Sequence, residues 1–550
     1  MNDELLEHPE NKCVVIGIDV GTGSARAGVF DLAGELLASK STEFPLYTDS
    51  GLVVEQSSTE IWAAVCQSVK EAVAHAGVSS ENVQGIGFDA TCSLVIVAED
   101  GSPLPTQQGG DPNKNVIVWM DHRSTQQAQR INATGHEVLS YVGGTISPEM
   151  QTPKLLWLKE NNPDSYNRAA QFFDLTDFLS WKATGDNARS VCTLTCKWTY
   201  LAHEKRWSED YFRTIGLADL ADDAFARIGE RVVDTGCPLG SGLSAAASVD
   251  LGLKPGTPVA AGLIDAHAGG VGTIGAAGKQ GTLESRMAYI FGTSACSMAS
   301  TRKPAFVKGV WGPYYSAMLP GYWLNEGGQS AAGAAVDHLV QMHPASGDVE
   351  KEAAGKNLSL LDYLQQKAES IQHSGKSLHE QMGRIQVLPE FLGNRSPHAD
   401  PESRAVLVGL GLDKGEESLV GLYLAGLCGL GYGVRQLSES LCSEGVEIDT
   451  LVISGGAGQS DFVRQLFADA TGLTIAAPES SEPVLLGAAI LGAVAGQGHE
   501  DLAQAMEAMS RFGRTYQPST GDDAKLHTQR YKAFSMMQEL DRQLRDLPAE

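Results

Sequence analysis

The same strand–turn–strand pattern occurs twice in this chain, and this recurrence restricts the fold more than any other feature. Residues 13–44 contain an apolar run, a Gly-rich turn at Gly21-Thr22-Gly23, a second strand, a turn at Ala33-Gly34 and a third strand. Residues 287–300 repeat the order around the turn Gly292-Thr293-Ser294. Because such internal similarity indicates duplicated units, the sequence predicts two similar halves.

Strand-like and helical runs alternate along the rest of the chain, which is typical of α/β layers. Residues 83–97 are predicted to form two strands interrupted at 89–92, and residues 61–76 an amphipathic helix. Residues 451–478 have the pattern of a strand, a Gly-Gly loop, a helix that begins near Ser460 and another strand. A strand, a Gly loop and a helix N-terminus together favour anion or nucleotide binding.

Two further segments are predicted to lie outside this duplicated pattern. Residues 343–383 are charged and helical, which indicates a peripheral insertion. Residues 523–547 are predicted to form a polar terminal helix whose apolar stripe packs on its own domain. The stripe consists of Tyr531, Phe534, Met537 and Leu540.

Length and charge narrow the class of protein. At about 150 residues per domain, 550 residues correspond to roughly three to four units or to two large domains. The net charge of −26 argues against nucleic acid or an anionic membrane as a partner. Residues 1–12 are acidic and polar, so they lack the positively charged start and the apolar core of a signal peptide, and the uncharged run 419–434 is shorter than a membrane span. We therefore expect a cytoplasmic protein with no nucleic-acid or membrane partner.

The nine cysteines are scattered and include no C-x-x-C pair, which favours reduced thiols over disulfides or a zinc site. Cys192 and Cys196 are four residues apart and can share a helix face. We interpret them as small buried apolar side chains, because no paired ligands are near them in the sequence. His267 is interpreted as structural, because no second histidine stands at a metal-ligand spacing.

The two Gly turns fit neither of the common nucleotide-binding patterns. The pattern G-x-G-x-x-G fails at Arg26, and Gly278-Lys279 is followed by Gln280, which excludes G-x-x-x-x-G-K-[ST]. Successive backbone N–H groups of a Gly/Thr turn can nevertheless converge on an oxyanion. Either turn alone is consistent with an ordinary tight hairpin. Together they predict a polyphosphate held between the two halves.

Two aspartates follow apolar runs at positions that suit phosphoryl transfer. Asp19 precedes the first Gly turn, and Asp265 stands between an apolar run and a Gly-rich helical start. Phosphoryl transfer needs metal-held oxygens and a carboxylate that accepts the proton of the attacking hydroxyl. For Asp265, helix capping is an equally good interpretation at this point. Neither G-x-S-x-G nor H-E-x-x-H occurs, so these hydrolase patterns have no support.

Nine segments between residues 13 and 496 resemble, in order, those of FGGY carbohydrate kinases, which belong with actin and the heat-shock ATPases. The segments are DVGTGSARAGVFD, GFDATCSLV, WMDHR, KLLWLKEN, GLIDAHAGGVG, IFGTSAC, LPEFLGNRSPHADP, SGGAGQSDFVRQ and EPVLLGAAILGA. The resemblance implies an α/β fold of two actin-like ATPase (ribonuclease H-like) domains with a catalytic cleft between them. It implies an N-terminal tail at residues 1–12 and an N-terminal domain that binds sugar and phosphate at residues 13–275. It further implies a C-terminal domain that binds the nucleotide at residues 276–500 and a helical extension at residues 501–550.

Within that family, GNRSPHADP and IDAHAG are similar to the ribulokinase branch, and Thr91 to Val95 resembles the segment typical of kinases for D-ribulose. The resemblance implies transfer of phosphate from ATP, with Mg²⁺, to the terminal hydroxyl of D-ribulose, giving D-ribulose 5-phosphate. L-Ribulose, xylulose and other polyols stay open as substrates. An actin-like ATPase switch and a sugar sensor without turnover also stay open as alternative functions. A homodimeric assembly stays open as well.

The resemblance also assigns roles by position. It implies that Asp265 is the general base and that Asp19 and Asp265 lie at Mg²⁺. The implied sugar contacts are Cys92, Trp119, Lys197, Asp265 and Glu326. The implied phosphate cradle is Gly21, Thr22, Gly23, Ser24, Gly292, Thr293 and Ser294. The implied adenosine contacts are Gly455, Gly456 and Gln459. As alternatives, Trp119 and Cys92 suit a core, and Lys197 suits a solvated surface.

The chain departs from the family pattern at three places. Gln151 stands where the first family signature usually has Ser, Thr or Pro, and the second signature differs by one residue in its spacer near Glu416. Gln459 stands where many relatives have a basic residue or Asn. These departures bear on the adenosine contacts more than on the catalytic residues.

Overall fold

The computed structural model describes residues 12–49, 51–278 and 281–547, so the predicted tail lies outside the described residues except for Lys12. The strands are β1 Val14–Val20, β2 Ser24–Asp31, β3 Leu36–Glu43, β4 Tyr47–Asp49, β5 Val53–Gln56, β6 Val83–Ala90, β7 Leu94–Val97, β8 Val116–Ile117, β9 Gln171–Asp174, β10 Arg189–Ser190, β11 Val232–Val233, β12 Leu263–Ile264, β13 Arg286–Phe291, β14 Ala295–Thr301, β15 Trp311–Tyr315, β16 Trp323–Gln329, β17 Gln386–Leu388, β18 Val406–Val408, β19 Thr450–Ser454, β20 Thr474–Pro478 and β21 Phe512–Tyr516.

The α-helices are α1 Ser58–Ala76, α2 Thr125–Ala133, α3 Gln151–Asn161, α4 Pro163–Arg168, α5 Leu175–Thr184, α6 Val191–Lys197, α7 Glu209–Thr214, α8 Ala218–Asp222, α9 Ala245–Leu251, α10 Asp265–Ile274, α11 Gly333–Gln341, α12 Ser346–Gly355, α13 Leu360–His373, α14 Leu378–Met382, α15 Glu416–Ser443, α16 Asp461–Thr471, α17 Pro483–Ala495, α18 Leu502–Met509 and α19 Asp522–Arg545.

The central sheets of the two halves share one plan, as the repeated hairpins predicted. In the first half β1 pairs antiparallel with β2 and parallel with β6, which pairs parallel with β12. In the second half β13 pairs antiparallel with β14 and parallel with β19, which pairs parallel with β20. The order β12-β6-β1-β2-β3 thus corresponds to β20-β19-β13-β14-β16. The predicted interruption after β6 falls at residues 91–93 rather than 89–92.

Helices α10 and α17 join the two halves by packing against each other and against the first sheet. A Cβ at Gly87 of β6 would lie 1.9 Å from the Ala488 carbonyl oxygen of α17. A Cβ at Gly487 would likewise lie 1.9 Å from the Ala268 carbonyl oxygen of α10. Only glycine allows these backbone contacts, so the glycines hold the last large helix of the second half against the first half.

The two segments predicted to lie outside the duplicated pattern differ from expectation in part. Residues 343–383 form α12, α13 and α14, but Ser359, Asp362 and Gln365 of this segment line a cavity and are not merely peripheral. In α19, Phe534 and Met537 are buried as predicted, whereas Leu540 is 42% exposed and lies outside the packed stripe. The helix turns Leu540 toward solvent because its packed face is narrower than the apolar stripe in the sequence.

Helix α15 is the one helix in the described ranges that is long and apolar enough to cross a membrane. Of its most apolar window, 83% is buried inside the protein. Its buried side chains, including Leu424 and Leu430, join the hydrophobic core of the second half. This helix is therefore accounted for as a core element.

Candidate active-site cleft

A cavity of about 360 Å³ lies between the two halves. We call it the first cavity. The first half contributes residues from β1, α6 and α10, and the second half contributes residues from β14 to β16. The predicted sugar contacts all line it, namely Cys92, Trp119, Lys197, Asp265 and Glu326. The fold thus brings together five residues that are separated by up to 234 positions in the sequence (326 − 92).

Three carboxylates stand at the carboxyl ends of neighbouring parallel strands. Asp19 of β1 is in register with Asp89 of β6, which is in register with Leu263 of β12, and Asp265 follows β12 directly. Parallel strands place their carboxyl ends at one edge of a sheet, which is where open α/β sheets bind ligands. The sequence singled out Asp19 and Asp265 and missed Asp89.

Asp265 begins helix α10 but does not cap it, so the helix-capping interpretation of this residue is not supported. The N-cap is Ile264, and among the residues that the structure describes the Asp265 carboxylate accepts only from the neighbouring Ala266 N–H, at 2.7 Å. Burial and then the nearby negative charge of Asp19 raise the pKa of Asp265 to about 6. This carboxylate is a stronger base than an ordinary aspartate and is still mainly ionised at neutral pH.

Asp19 is held by an arginine that links the two halves. Arg26 of β2 donates from Nε to Oδ2 of Asp19 at 2.9 Å and from Nη1 to Glu482 of the second half at 2.9 Å. Asp89, behind Asp19, is fully buried, and no hydrogen-bond donor in the described part of the chain reaches either of its carboxylate oxygens. Burial and the charge of Asp19 raise the pKa of Asp89 well above its usual value.

Lys197 and Glu326 form an oppositely charged pair on the two walls of the first cavity. Lys197 ends α6 in the first half, Glu326 lies on β16 in the second, and their residues are only 3% and 5% exposed. Burial opposes ionisation of Glu326, but Lys197 and His267 overcome it and lower its pKa to about 2. The Lys197 ammonium also lies 4.7 Å from the centre of the Trp311 ring. The interpretation of Lys197 as a solvated charge is therefore wrong.

Trp311, Glu149 and Arg395 also line the first cavity, and the sequence assigned no role to them. Trp311 of β15 forms a wall, and the Arg395 guanidinium lies 5.4 Å from its ring centre. Oε1 of Glu149, in the first half, lies 3.9 Å from Nη2 of Arg395, in the second half. Arg395 belongs to the segment GNRSPHADP, so the motif was a signal for it. Nothing local in the sequence distinguished Trp311 or Glu149.

Trp119 joins the first cavity to the first Gly turn. Its indole N–H donates to Thr22 Oγ1 at 3.1 Å, and its backbone N–H donates to Ser93 Oγ at 3.2 Å. The buried Lys154 ammonium donates to the Val118 carbonyl at 2.9 Å and so holds the same segment. Trp119 is half-buried and lines the cavity, so it is not simply a core residue.

Gln151, the first departure from the family pattern, has a structural role beside the cavity. Its Nε2 donates to the Cys92 carbonyl at 3.1 Å and to Asp174 Oδ2 at 3.0 Å. Serine, threonine or proline at this position could not make both contacts, because each has too short a side chain. Gln151 therefore positions the segment that contains Cys92.

Both Gly turns contribute residues to the lining of the first cavity. The Gly21 N–H donates to the Ser24 carbonyl at 3.0 Å, and the Gly292 N–H donates to the Ser294 carbonyl at 3.0 Å. Both turns thus close through the N–H of their first glycine, and the first turn is one residue longer than the second. Gly21, Thr22 and residues 292–294 line the cavity, whereas Gly23 and Ser24 do not. The second turn is fixed to α11, because Thr293 O accepts from the Ala332 N–H at 2.9 Å.

A second cavity, of about 690 Å³, continues from the first and shares Gly292 and Thr293 with it. Of the predicted adenosine contacts, Gly456 and Gln459 line it. Gly455 does not, and its φ of 91° instead makes the bend that follows β19. Other polar and aromatic residues that line the second cavity were not predicted from the sequence, among them Asp337, Asp362, Gln365 and Tyr423.

His267 lies directly behind Glu326 and is fully buried. Its Nε2 is 3.3 Å from Glu326 Oε2, and its Nδ1 is 3.1 Å from Cys192 Sγ. Burial opposes ionisation of the Cys192 thiol, but Cys196 and His267 overcome it and lower its pKa to about 5. Cys192 is therefore more than the small apolar side chain that the sequence suggested.

Two sequence profiles match most of the chain. The N-terminal domain of the FGGY family of carbohydrate kinases matches residues 14–272, and the C-terminal domain of that family matches residues 287–496. The FGGY carbohydrate kinase domain-containing protein of Danio rerio is 46% identical over 514 residues, covering 92% of this chain and 93% of that protein. A D-ribulokinase of Saccharomyces cerevisiae is 37% identical over 525 residues, covering 89% of this chain and 73% of that protein.

A solved structure has the same fold. The structure of ligand-bound xylulose kinase from Lactobacillus acidophilus superimposes with a TM-score of 0.78 at 17% identity. The superposition covers 96% of this chain and 98% of that one. The predicted two-domain, actin-like α/β fold is thereby confirmed.

Proposed function

The chain belongs to the FGGY family of carbohydrate kinases, and from this premise we propose that it phosphorylates D-ribulose at the terminal hydroxyl, using ATP. That it is a carbohydrate kinase follows from the family. The choice of D-ribulose is supported by the yeast D-ribulokinase, which is 37% identical, and by the segment Thr91 to Val95. The observation that carries the proposal is a basic carboxylate, Asp265, in one cavity with the Lys197 and Glu326 pair.

Asp265 is the proposed general base. The terminal hydroxyl would hydrogen-bond to this carboxylate, which takes its proton while the hydroxyl oxygen attacks the γ-phosphorus and ADP leaves. A pKa of about 6 supports the role, because the carboxylate is both ionised and comparatively basic near pH 7. Burial between the two halves would keep water from competing with the sugar hydroxyl.

The Lys197 and Glu326 pair is proposed to orient the sugar. A buried ammonium donates hydrogen bonds to hydroxyl or carbonyl oxygens, and a buried carboxylate accepts them from hydroxyls. Trp119 and Trp311 supply flat walls on two sides of the cavity. Charged groups beside aromatic walls suit a small polyol. An epimer with one hydroxyl in a different orientation would leave Lys197 or Glu326 without a hydrogen-bond partner, which would lower kcat/KM for that epimer.

The site residues fit a Mg²⁺ ion that accompanies ATP. Arg26 binds Oδ2 of Asp19 and leaves Oδ1 of that carboxylate for a cation, and carboxylate oxygens are the ligands that Mg²⁺ prefers. We propose that Asp19 and Asp265 hold Mg²⁺ beside the two turns. When bound, the ion would neutralise charge on the phosphate oxygens.

ATP is proposed to span both cavities. Its phosphates would lie against the backbone N–H groups of the turns at Gly21 and Gly292, and its adenosine would lie in the second cavity beside Gly456 and Gln459. This placement is supported by the two residues that the cavities share, Gly292 and Thr293. It also explains how a chain with a net charge of −26 can hold a polyanion.

We propose the domain boundaries 13–275, 276–500 and 501–550, which agree with the two matched ranges 14–272 and 287–496. We further propose that the enzyme works in the cytoplasm on small-molecule partners, sugar and ATP, without nucleic acid or membrane. The acidic net charge and the buried position of α15 support this part of the proposal.

The proposal is tested by measuring ADP release with D-ribulose, L-ribulose, D-xylulose, ribitol and glycerol at matched concentrations. We expect kcat/KM to be highest for D-ribulose. A higher value for another sugar would overturn the substrate. ADP release that no sugar accelerates would favour an actin-like ATPase switch instead, and binding of a sugar with no turnover would favour a sensor.

A further inference from the structure

A group of two cysteines and one histidine lies just behind the first cavity. Cys192 and Cys196 are on one face of α6, and His267 on α10 faces them. Their Sγ and imidazole nitrogen atoms all lie within 4.8 Å of one another. All three side chains are fully buried. We call these three residues the Cys2His cluster.

Hydrogen bonds with Glu326 and Ile264 orient the cluster's donor atoms in a way that suits a cation. His267 Nε2 lies 3.3 Å from Glu326 Oε2, and because a carboxylate can only accept a hydrogen bond, Nε2 carries the hydrogen. The other ring nitrogen, Nδ1, faces Cys192 Sγ at 3.1 Å. A histidine that donates one N–H to a carboxylate while its other nitrogen faces the ligand position is the usual arrangement at metal sites. The Ile264 N–H also points to Cys192 Sγ, at 3.5 Å.

The donor types select the cation. Two sulfurs and one imidazole nitrogen suit a thiophilic ion such as Zn²⁺, whereas Mg²⁺ requires oxygen ligands. The cluster is therefore chemically distinct from the carboxylates of Asp19 and Asp265. Three protein donors also leave one position of a tetrahedral zinc ion for water or another small ligand.

We propose that the Cys2His cluster is a Zn²⁺ site. In the metal-free protein the cluster holds two replaceable hydrogens, one on Cys196 and one between Cys192 Sγ and His267 Nδ1. On binding, both sulfurs are thiolates, His267 Nδ1 supplies its lone pair, and these two protons leave to solvent. The Cys192 Sγ to His267 Nδ1 distance of 3.1 Å is shorter than the roughly 3.5 Å that zinc bond lengths and a tetrahedral angle require, so the two atoms must move apart to hold the ion. The cavity wall is next to the cluster, because Lys197 follows Cys196 directly.

The site also has a link to the first cavity. Glu326 contacts His267 from one side and lines the cavity from the other. Metal at the cluster and sugar at Glu326 would therefore influence each other's affinity to the same extent. The existence of the metal site does not depend on the proposed sugar, because its ligands are defined without one.

The test uses the full-length reduced protein, stripped of metal and titrated anaerobically with Co²⁺, a probe of zinc sites, in the presence of excess Mg²⁺. We expect one Co²⁺ per chain, a thiolate-to-cobalt charge-transfer absorption, and displacement by one equivalent of Zn²⁺. Absence of that absorption in the unmodified protein would overturn the proposal. This readout is independent of kinase activity, so its failure is distinguishable from failure of the proposed function.

Variants then locate the site. Cys192→Ser and Cys196→Ser should each lose most of the charge-transfer absorption, and His267→Asn should weaken metal binding at least about 10-fold. Cys428→Ser is the matched control, because Cys428 is also buried in a helix but is not part of the cluster. An absorption that persists in both cluster cysteine variants, or that disappears in Cys428→Ser, would contradict the assignment. Thermal unfolding of each variant checks that it is folded.

Discussion

The two cavities of the cleft are built from different parts of the chain. The first cavity is lined by buried charged and aromatic side chains contributed by both halves, such as Lys197, Glu326 and Trp311. The second cavity is lined by residues of the second half alone, and these include glycines of the turn at Gly292 and of the loop at Gly456. Side chains differ in shape and charge, whereas backbone N–H groups are the same in every residue. We therefore expect substrate choice to depend on the first cavity and to be insensitive to most changes in the second.

The largest expected effect is at Asp265. Asp265→Asn keeps the shape of the side chain but removes its basicity, so kcat should fall by about 10²–10⁴-fold. ATP affinity, measured by calorimetry, should change little, because the proposed adenosine and phosphate contacts lie elsewhere and Asp19 remains to hold Mg²⁺. Asp348→Asn, at a highly exposed position, is the control. Turnover within a few-fold of the unmodified enzyme would remove Asp265 from the reaction.

Glu326→Gln tests the charge pair of the first cavity. It removes the negative charge that faces the buried Lys197 ammonium and weakens the proposed hydrogen bond to the sugar by roughly 1.5–3 kcal/mol, which corresponds to a reduction in kcat/KM for the sugar of roughly 10-fold or more. The KM for ATP should stay within about twofold, because the pair is separate from the turns. Steady-state kinetics with each substrate varied in turn distinguishes these results. An equal rise of both KM values would show that the two cavities are not independent.

The pH dependence provides a third test. Because the Asp265 carboxylate must be ionised to accept a proton, kcat/KM should fall as the pH drops through about 6 and then decrease tenfold per pH unit. An ordinary aspartate, with its pKa near 3.8, would give no such fall above pH 5. A flat profile down to pH 5 would contradict the raised pKa of Asp265. Initial rates at subsaturating sugar measure this directly.

Trp119 is the residue that contacts both parts of the cleft. Trp119→Phe keeps an aromatic wall but removes the hydrogen bond to Thr22 at the first turn. One neutral hydrogen bond is worth about 0.5–1.5 kcal/mol, so we expect KM values for sugar and for ATP both to rise about two- to tenfold. An effect confined to the sugar would show that the hydrogen bond to Thr22 does not support the phosphate turn.

The smallest expected effect is in the second cavity. Gln459→Ala removes one lining side chain and leaves the backbone of the Gly loop unchanged. The KM for ATP should rise about twofold to fivefold, with the sugar kinetics unchanged. A loss of more than about 100-fold would show that side chains, and not backbone, determine nucleotide binding there. Gln465→Ala, on the adjoining helix α16 but outside the cavity lining, is the matched control.

The sequence predicted what is local or repeated, and missed what depends on long-range packing. The hairpins around Gly21 and Gly292 are complete in short segments, so their turns and strands could be identified directly. Asp19 and Asp265 could be identified because each follows an apolar strand. Trp311 and Glu149 could not, because only the approach of β15 to the first half makes them part of one cavity.

The cysteines illustrate the same limit. Cys192 and Cys196 share a helix face, as their spacing allowed, but their third neighbour, His267, lies 71 positions beyond Cys196 (267 − 196) and on another helix. No spacing rule connects these residues. The fold brings them together because α6 and α10 flank the same strand, β12.

The central claim is that the first cavity directs phosphate from ATP to the terminal hydroxyl of D-ribulose. The most direct measurement is product analysis by phosphorus and carbon NMR after the purified protein has acted on D-ribulose with ATP and Mg²⁺. We predict that D-ribulose 5-phosphate and ADP form in a 1:1 ratio. Phosphate on another hydroxyl, or ADP with free phosphate and unchanged sugar, would contradict the account.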